Sequence, residues 1–280
     1  MRKPLRALVA ALMFPALYLL SQLFVSQIAA IIFTLRMPPD MNKDTLDAQF
    51  ADFFARWQLP MAALAAFLML LIVLLATRRI RLAAPPMGFV PLRAPRISLL
   101  LVIAGLCLHL TIIAGLSLLP IPETLWAKNN HVSEMLSSHG PLGSFLTGCL
   151  LLPFTEEVVF RGLGYRILRD GFPVRAAVVL QALIFAAFHL NLLQSFYVFP
   201  VAIVLGLVYE WSGSLLAPVL LHVAFNSAGF ALSSLPQTFP GIPVFVCAGA
   251  ALGVLYTLRA LYRRRAPHAV LERDTRNHPL

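Results

Sequence analysis

The chain has 280 residues, 59% of them apolar and 12% charged, with a net charge of +10. A soluble globular chain carries about 25% charged residues, so this composition indicates a polytopic membrane protein, with length for about eight spans of about 20 residues each and none left for a soluble domain. Cys107, Cys149 and Cys247 all fall inside apolar runs, which points to buried small hydrophobes and gives no sign of a disulfide framework.

Arg2, Lys3 and Arg6 precede an apolar run from Leu8 to Leu35. The apolar region of a signal peptide is about 7–15 residues; this run is longer, so an uncleaved first span is expected. Met37 to Pro60 carries Asp40, Asp44, Asp47 and Asp52, with Leu46, Phe50, Phe53, Phe54 and Trp57 at helical spacing. That pattern suits an amphipathic helix in the membrane interface, or equally a loop helix packed on the bundle. Met61 to Ala76 reads as the second span and Leu99 to Leu119 as the third, joined by a proline-rich linker, Leu82 to Ser98. Pro120 to Gly140 is polar, with room for a short surface helix. Spans four to seven follow with short connections, at 141–169, 172–190, 194–211 and 214–235. The eighth is expected from Ile242 to Tyr262, and Ala266 to Leu280 is a polar tail expected to be disordered.

Lysine and arginine placement gives the orientation. With the N-terminus inside, all of the 22 basic residues except Arg36, Lys43, Arg56 and Lys128 fall in segments assigned to the cytoplasmic side. The positive charge is therefore a topology signal and not a nucleic-acid footprint, and both termini are expected in the cytoplasm.

Polar residues inside apolar spans are costly and mark function. Span four carries Glu156, Glu157 and Arg161; span five ends its run FAAFH at His189; span seven carries His222 and Asn226; span six carries Glu210. Glu157 and Arg161 are four apart with the carboxylate first, the better order for an ion pair. His222 and Asn226 share that spacing and so share a face. Pro153, one turn before the carboxylates, predicts a kink that frees a backbone carbonyl, and Gly162 and Gly164 permit close helix approach. Straight-helix arithmetic, at about 1.5 Å per residue, leaves the carboxylates and the two histidines spread over about 10 Å in depth.

These groups suit attack of water on a carbonyl. A carboxylate held away from water accepts a proton more readily, a histidine can orient that water, and a His–Asn pair supplies donors for an oxyanion. Ser227, Ser233 and Cys149 have no evident base partner as nucleophiles. Carboxylate and imidazole also leave Zn²⁺ open as an alternative, with Glu156, His189 and His222 as ligands, although HExxH is absent. The same residues could serve a proton-coupled transporter, or persist in a non-enzymatic membrane partner such as an immunity or scaffold protein. Glu210 and His109 are read as structural.

The order EExxxR, FxxxH, HxxxN, here Glu156-Glu157 with Arg161, Phe185 with His189, and His222 with Asn226, resembles the CPBP intramembrane proteases (the Abi family). These are related to the CAAX prenyl endopeptidases of the Ras-converting-enzyme type. The likeness runs from about Pro141 to Ala231. It implies an all-α fold of about eight transmembrane helices, with helices one to three and their loops at 1–140. A catalytic core follows at 141–235, and a last helix with a basic tail at 236–280. It also implies an endopeptidase acting on a membrane-associated protein or peptide in the lipid bilayer, in the inner membrane of a bacterium, with no nucleic-acid partner. Glu156 would activate the water with help from His189, and Glu157 and Arg161 would brace the site. His222 and Asn226 would form the oxyanion side, and Phe185 would be packing. No cofactor is required on this reading, and zinc stays as the alternative.

Overall fold

The computed structural model describes residues 3–38, 40–79, 88–92, 95–129, 140–233 and 244–264. Among them the chain is all-α: α1 (Lys3–Leu35), α2 (Lys43–Arg79), α3 (Pro95–Ser117), α4 (Gly140–Gly171), α5 (Val174–Phe188), α6 (Leu192–Ser212), α7 (Leu216–Ser233) and α8 (Val244–Arg264). Residues 123–129 add the short helix expected between α3 and α4. Residues 82–87 and 93–94 of the proline-rich linker, and the whole tail 266–280, lie outside the described residues. Among the described residues six helices, α1 to α4, α6 and α7, are long and apolar enough to cross a membrane. The apolar α5 has 15 residues. The structure thus gives a polytopic membrane protein, with six such spans where eight are expected. Its outer surface carries exposed Leu20, Phe24, Phe67, Leu99, Leu183 and Leu252, as a surface solvated by acyl chains requires.

One expectation is corrected. The segment 37–60 is neither a separate interfacial helix nor a loop helix; from Lys43 it is continuous with the second span, through Pro60, in one helix of 37 residues. At about 1.5 Å per residue such a helix is about 55 Å long, well beyond the hydrocarbon core of about 30 Å. Its N-terminal part is held to the end of α1 by aromatic contacts, with the Phe33 ring 5.4 Å from Phe50 and 5.1 Å from Phe53. Part of the aromatic stripe thus packs on α1, while Phe50 and Trp57 keep exposed surface.

Two apolar cores share α6 as their common wall. Val198, Ala202 and Tyr209 face a core built with α1, α2, α4 and α5. Val201, Leu205 and Val208 face a second core with α3, α7 and α8. The halves are closed by small residues. A Cβ added at Gly105 of α3 would run into the Leu221 carbonyl of α7, and one at Gly229 of α7 would lie 2.7 Å from the His109 ring. His109, edge-on to Phe225 at 4.9 Å, thus packs in the α3–α7 contact, as its structural reading expects. A helix pair brought this close relies on the missing side chains.

Gly105→Ala should therefore force α3 and α7 apart and destabilise the protein by about 1–3 kcal/mol, the usual penalty of overpacking. Gly249→Ala, where an added Cβ meets nothing within 4 Å, should not lower stability. Thermal unfolding of both variants in detergent checks the pair.

Candidate active site

The backbone of α4 is irregular where the site is built. Phe145–Leu151 and Val158–Tyr165 are π-helical, either side of the α-helical turn Leu152–Glu157. In a π-turn each N–H reaches five residues back, and Leu152 N–H does so, to Thr147 O. The next donor in line would be Pro153, which has no N–H, so the Gly148 carbonyl is left over. Asn226 of α7 takes it up, with Nδ2 donating to Gly148 O at 3.0 Å. The freed carbonyl expected from Pro153 is thus present, and it is bonded by a motif residue.

One turn further along, the Glu157 carboxylate is the hub. Its Oε1 accepts from Arg161 Nη1 at 2.8 Å and from His222 Nδ1 at 2.8 Å, so His222 carries a proton on Nδ1. Both Glu157 and Arg161 have 0% of their side chains exposed. Arg161 Nη2 donates to Ala202 O of α6 at 3.3 Å, and its Cζ lies 4.5 Å above the Phe185 ring of α5. Gln181 of α5 donates to the same Ala202 carbonyl at 2.8 Å and to Val178 O at 3.1 Å. Gly206 makes room for it, since a Cβ there would lie 2.6 Å from Gln181 Nε2. Gln181 was missed in the sequence reading; a lone amide in VVLQALIF was its signal.

Glu156 points differently. Its side chain is 15% exposed, and Oε2 stands 3.8 Å from His222 Nε2. His189 terminates α5 at its C-cap, and the following Leu190 has a positive φ of 53°. Its Nδ1 donates to Phe185 O at 2.9 Å. That bond fixes the tautomer and leaves Nε2 as an acceptor. The rings of His189 and His222 lie 4.9 and 6.0 Å from that of Phe185, so Phe185 touches three motif residues beyond its own packing. Glu210 accepts from Tyr165 Oη at 2.8 Å, with Arg169 Nε at 3.5 Å, in a separate polar cluster nearer the arginine-rich end.

The spread in depth expected from straight helices is absent, because His222 and Glu157 are in contact. The π-turns of α4 pack more residues into each turn and shorten the path from its end to the carboxylates. Among the described residues no three His, Cys, Asp or Glu side chains are grouped to hold a metal ion, and His189 Nδ1 is turned to its own helix. That bond leaves His189 Nε2 free, and no step below runs through a metal.

Fold and site together define a polytopic all-α membrane protein with two carboxylates, a guanidinium and imidazoles held inside its bundle. Residues 138–228 match the family model of the Rce1-like type II CAAX prenyl endopeptidases, the family that the three motifs resemble. Over 87 residues the chain is 35% identical to the uncharacterized protein YpbD of Bacillus subtilis strain 168; the alignment covers 30% of this chain and 41% of that protein. No solved structure matches the chain significantly.

The link between Pro153 and Asn226 is open to a double-mutant test. Asn226→Ala should cost about 1–3 kcal/mol for the unsatisfied Gly148 carbonyl. In a Pro153→Ala background, where residue 153 regains an N–H in line with Gly148 O, most of that loss should disappear. Unfolding midpoints of the four proteins give the coupling.

Proposed function

We propose that the protein is an intramembrane endopeptidase that hydrolyses a peptide bond of a membrane-associated protein or peptide with water activated by Glu156. The observation that carries this reading is the unequal treatment of the two adjacent carboxylates. Glu157 is fully buried and bound through Oε1 to Arg161 and His222, while Glu156 makes no such bond and is left partly open beside His222. The match of residues 138–228 to CAAX-type endopeptidases supports the reaction class.

In this mechanism a water sits between the Glu156 carboxylate and His189 Nε2. Glu156 takes one proton from it, and the hydroxide oxygen bonds to the substrate carbonyl carbon. Asn226 has a second amide N–H beyond the one given to Gly148, which can meet the resulting oxyanion. Collapse of the tetrahedral adduct breaks the C–N bond, and the proton held by Glu156 passes to the leaving nitrogen. His222 Nε2, 3.8 Å from Glu156 Oε2, is near enough to share that proton after a small shift. Glu157 and Arg161 stay out of the chemistry and fix the His222 ring. Two carboxylates against one guanidinium leave one negative charge, which is what a general base requires. No cofactor enters these steps. On this reading the protein sits in a bacterial inner membrane, and the distribution of basic residues supports cytoplasmic termini.

Glu156→Gln keeps the shape and removes the base, and should lower the cleavage rate by at least about 10²–10⁴-fold while leaving the protein folded and inserted. Mass spectrometry of protein termini in membranes of cells expressing wild type or variant at matched levels measures this. Termini generated equally by both proteins would refute the mechanism. A pH-gradient-dependent flux with no new termini would favour a transporter instead.

A further inference from the structure

Two cavities lie side by side at the end of the bundle away from the arginines of α4. The inner one, of about 450 Å³, has Gly148, Cys149 and Asn226 on one side and reaches Ser144 and Gln194. The outer one, of about 510 Å³, is an apolar groove on the lipid-facing side between α3 and α6, with Gly115, Phe196, Phe199 and Pro200 on its walls. Three residues, Ile112, Leu116 and Tyr197, line both. The groove and the inner cavity are thus separated by a wall one side chain thick.

We infer that the substrate reaches Asn226 sideways from the bilayer, between α3 and α6, and that Ile112, Leu116 and Tyr197 are the gate. This rests on the proteolytic reading. The seam is the weak one in its half of the bundle, since α3 packs closely on α7 and α8 and touches α6 only lightly. Pro200 lies within α6 at the level of the groove, and its missing N–H removes one helical hydrogen bond where the first turns of α6 would have to swing. The Tyr197 hydroxyl is held to Asn129 Oδ1 at 3.5 Å, a long bond that an incoming chain can replace. The occupant is an uncharged, apolar stretch of a membrane-resident polypeptide. The described lining of both cavities carries no Asp, Glu, Lys or Arg. The groove offers mainly hydrocarbon and aromatic contact, with Thr111 and the Tyr197 hydroxyl as its polar groups, while the amides of Asn226 and Gln194 inside can pair with peptide groups that have left the lipid.

The route can be tested without relying on proteolysis. In a full-length chain with Cys107→Ala and Cys247→Ala, Cys149 is the sole thiol and lines the inner cavity. Reconstituted in vesicles, it should react with the bilayer-soluble N-cyclohexylmaleimide. Gly115→Trp, placed where an added Cβ meets open space, should fill the groove and slow that reaction about tenfold. Gly249→Trp, at another exposed position with open space around it, should leave the rate unchanged. Equal thermal midpoints show that both variants are folded. Unchanged labelling in Gly115→Trp overturns the inference, as does unchanged labelling accompanied by loss of a co-purified lipid, which would make the groove a fixed lipid seat. If Gly115→Trp slows labelling, it should also reduce the termini that depend on Glu156. Failure of the Glu156→Gln experiment would sink the proteolytic reading and leave the labelling result standing.

Discussion

A carboxylate with no exposure to solvent, Glu157, accepts two hydrogen bonds on a single oxygen, and the site depends on it. Taking an isolated charge out of water costs far more than one contact returns. A buried ion pair is tolerable only when geometry and further hydrogen bonds offset the desolvation. Here the offset draws in four helices. Arg161 follows on α4 itself, His222 comes from α7, the Ala202 carbonyl from α6, and the Phe185 ring from α5 lies against the guanidinium. Gln181 binds the same Ala202 carbonyl from α5. Breaking the pair would leave a buried charge uncompensated, a loss of about 3–5 kcal/mol. The four helices therefore keep a common register around it.

That constraint explains why two carboxylates stand side by side in sequence. Neighbouring residues on a helix point about 100° apart, so Glu156 and Glu157 cannot both face the same partners. One side chain is committed to Arg161 and His222, and the other is turned toward the open side of the same histidine. His222 stands between them, with Nδ1 bonded to Glu157 and Nε2 3.8 Å from Glu156. On the proposed mechanism a lone carboxylate would have to be both anchored and available, and the hydrogen bonds that anchor it would weaken it as a base. Dividing the two tasks between adjacent residues removes that conflict.

Much of this was legible in the sequence. Intramembrane Glu156, Glu157, Arg161, His189, His222 and Asn226 stood out because each is expensive in an apolar span, and the ion pair between Glu157 and Arg161 follows from helical spacing alone. The all-α fold followed from apolar runs long enough to span a membrane as helices, and the likeness to the family model matched at residues 138–228 from motif order. Other features were not legible, for identifiable reasons. The join of residues 43–60 to the second span was hidden by Pro60, which reads as a helix boundary but lies inside the helix. The meeting of His222 with Glu157 could not be computed from straight helices, because the π-turns of α4 change the advance per residue. Gln181 carried a signal, a single amide in an apolar run, but no periodicity linked it to Ala202, its partner on another helix.

The irregularity of α4 also bears on where His222 sits. Inside a membrane every freed carbonyl must find a donor within the protein. The missing N–H of Pro153 leaves Gly148 O to be met, and Asn226 meets it. Asn226 lies one turn beyond His222 on the same face of α7, so this bond and the His222–Glu157 bond hold α7 to α4 at two successive levels. Either contact alone would allow α7 to slide or rotate; together they fix both its depth and its facing. The spacing of the HxxxN motif is then a mechanical requirement set by the backbone of the neighbouring helix. The residue bonded to the freed carbonyl fixes the imidazole beside the available glutamate.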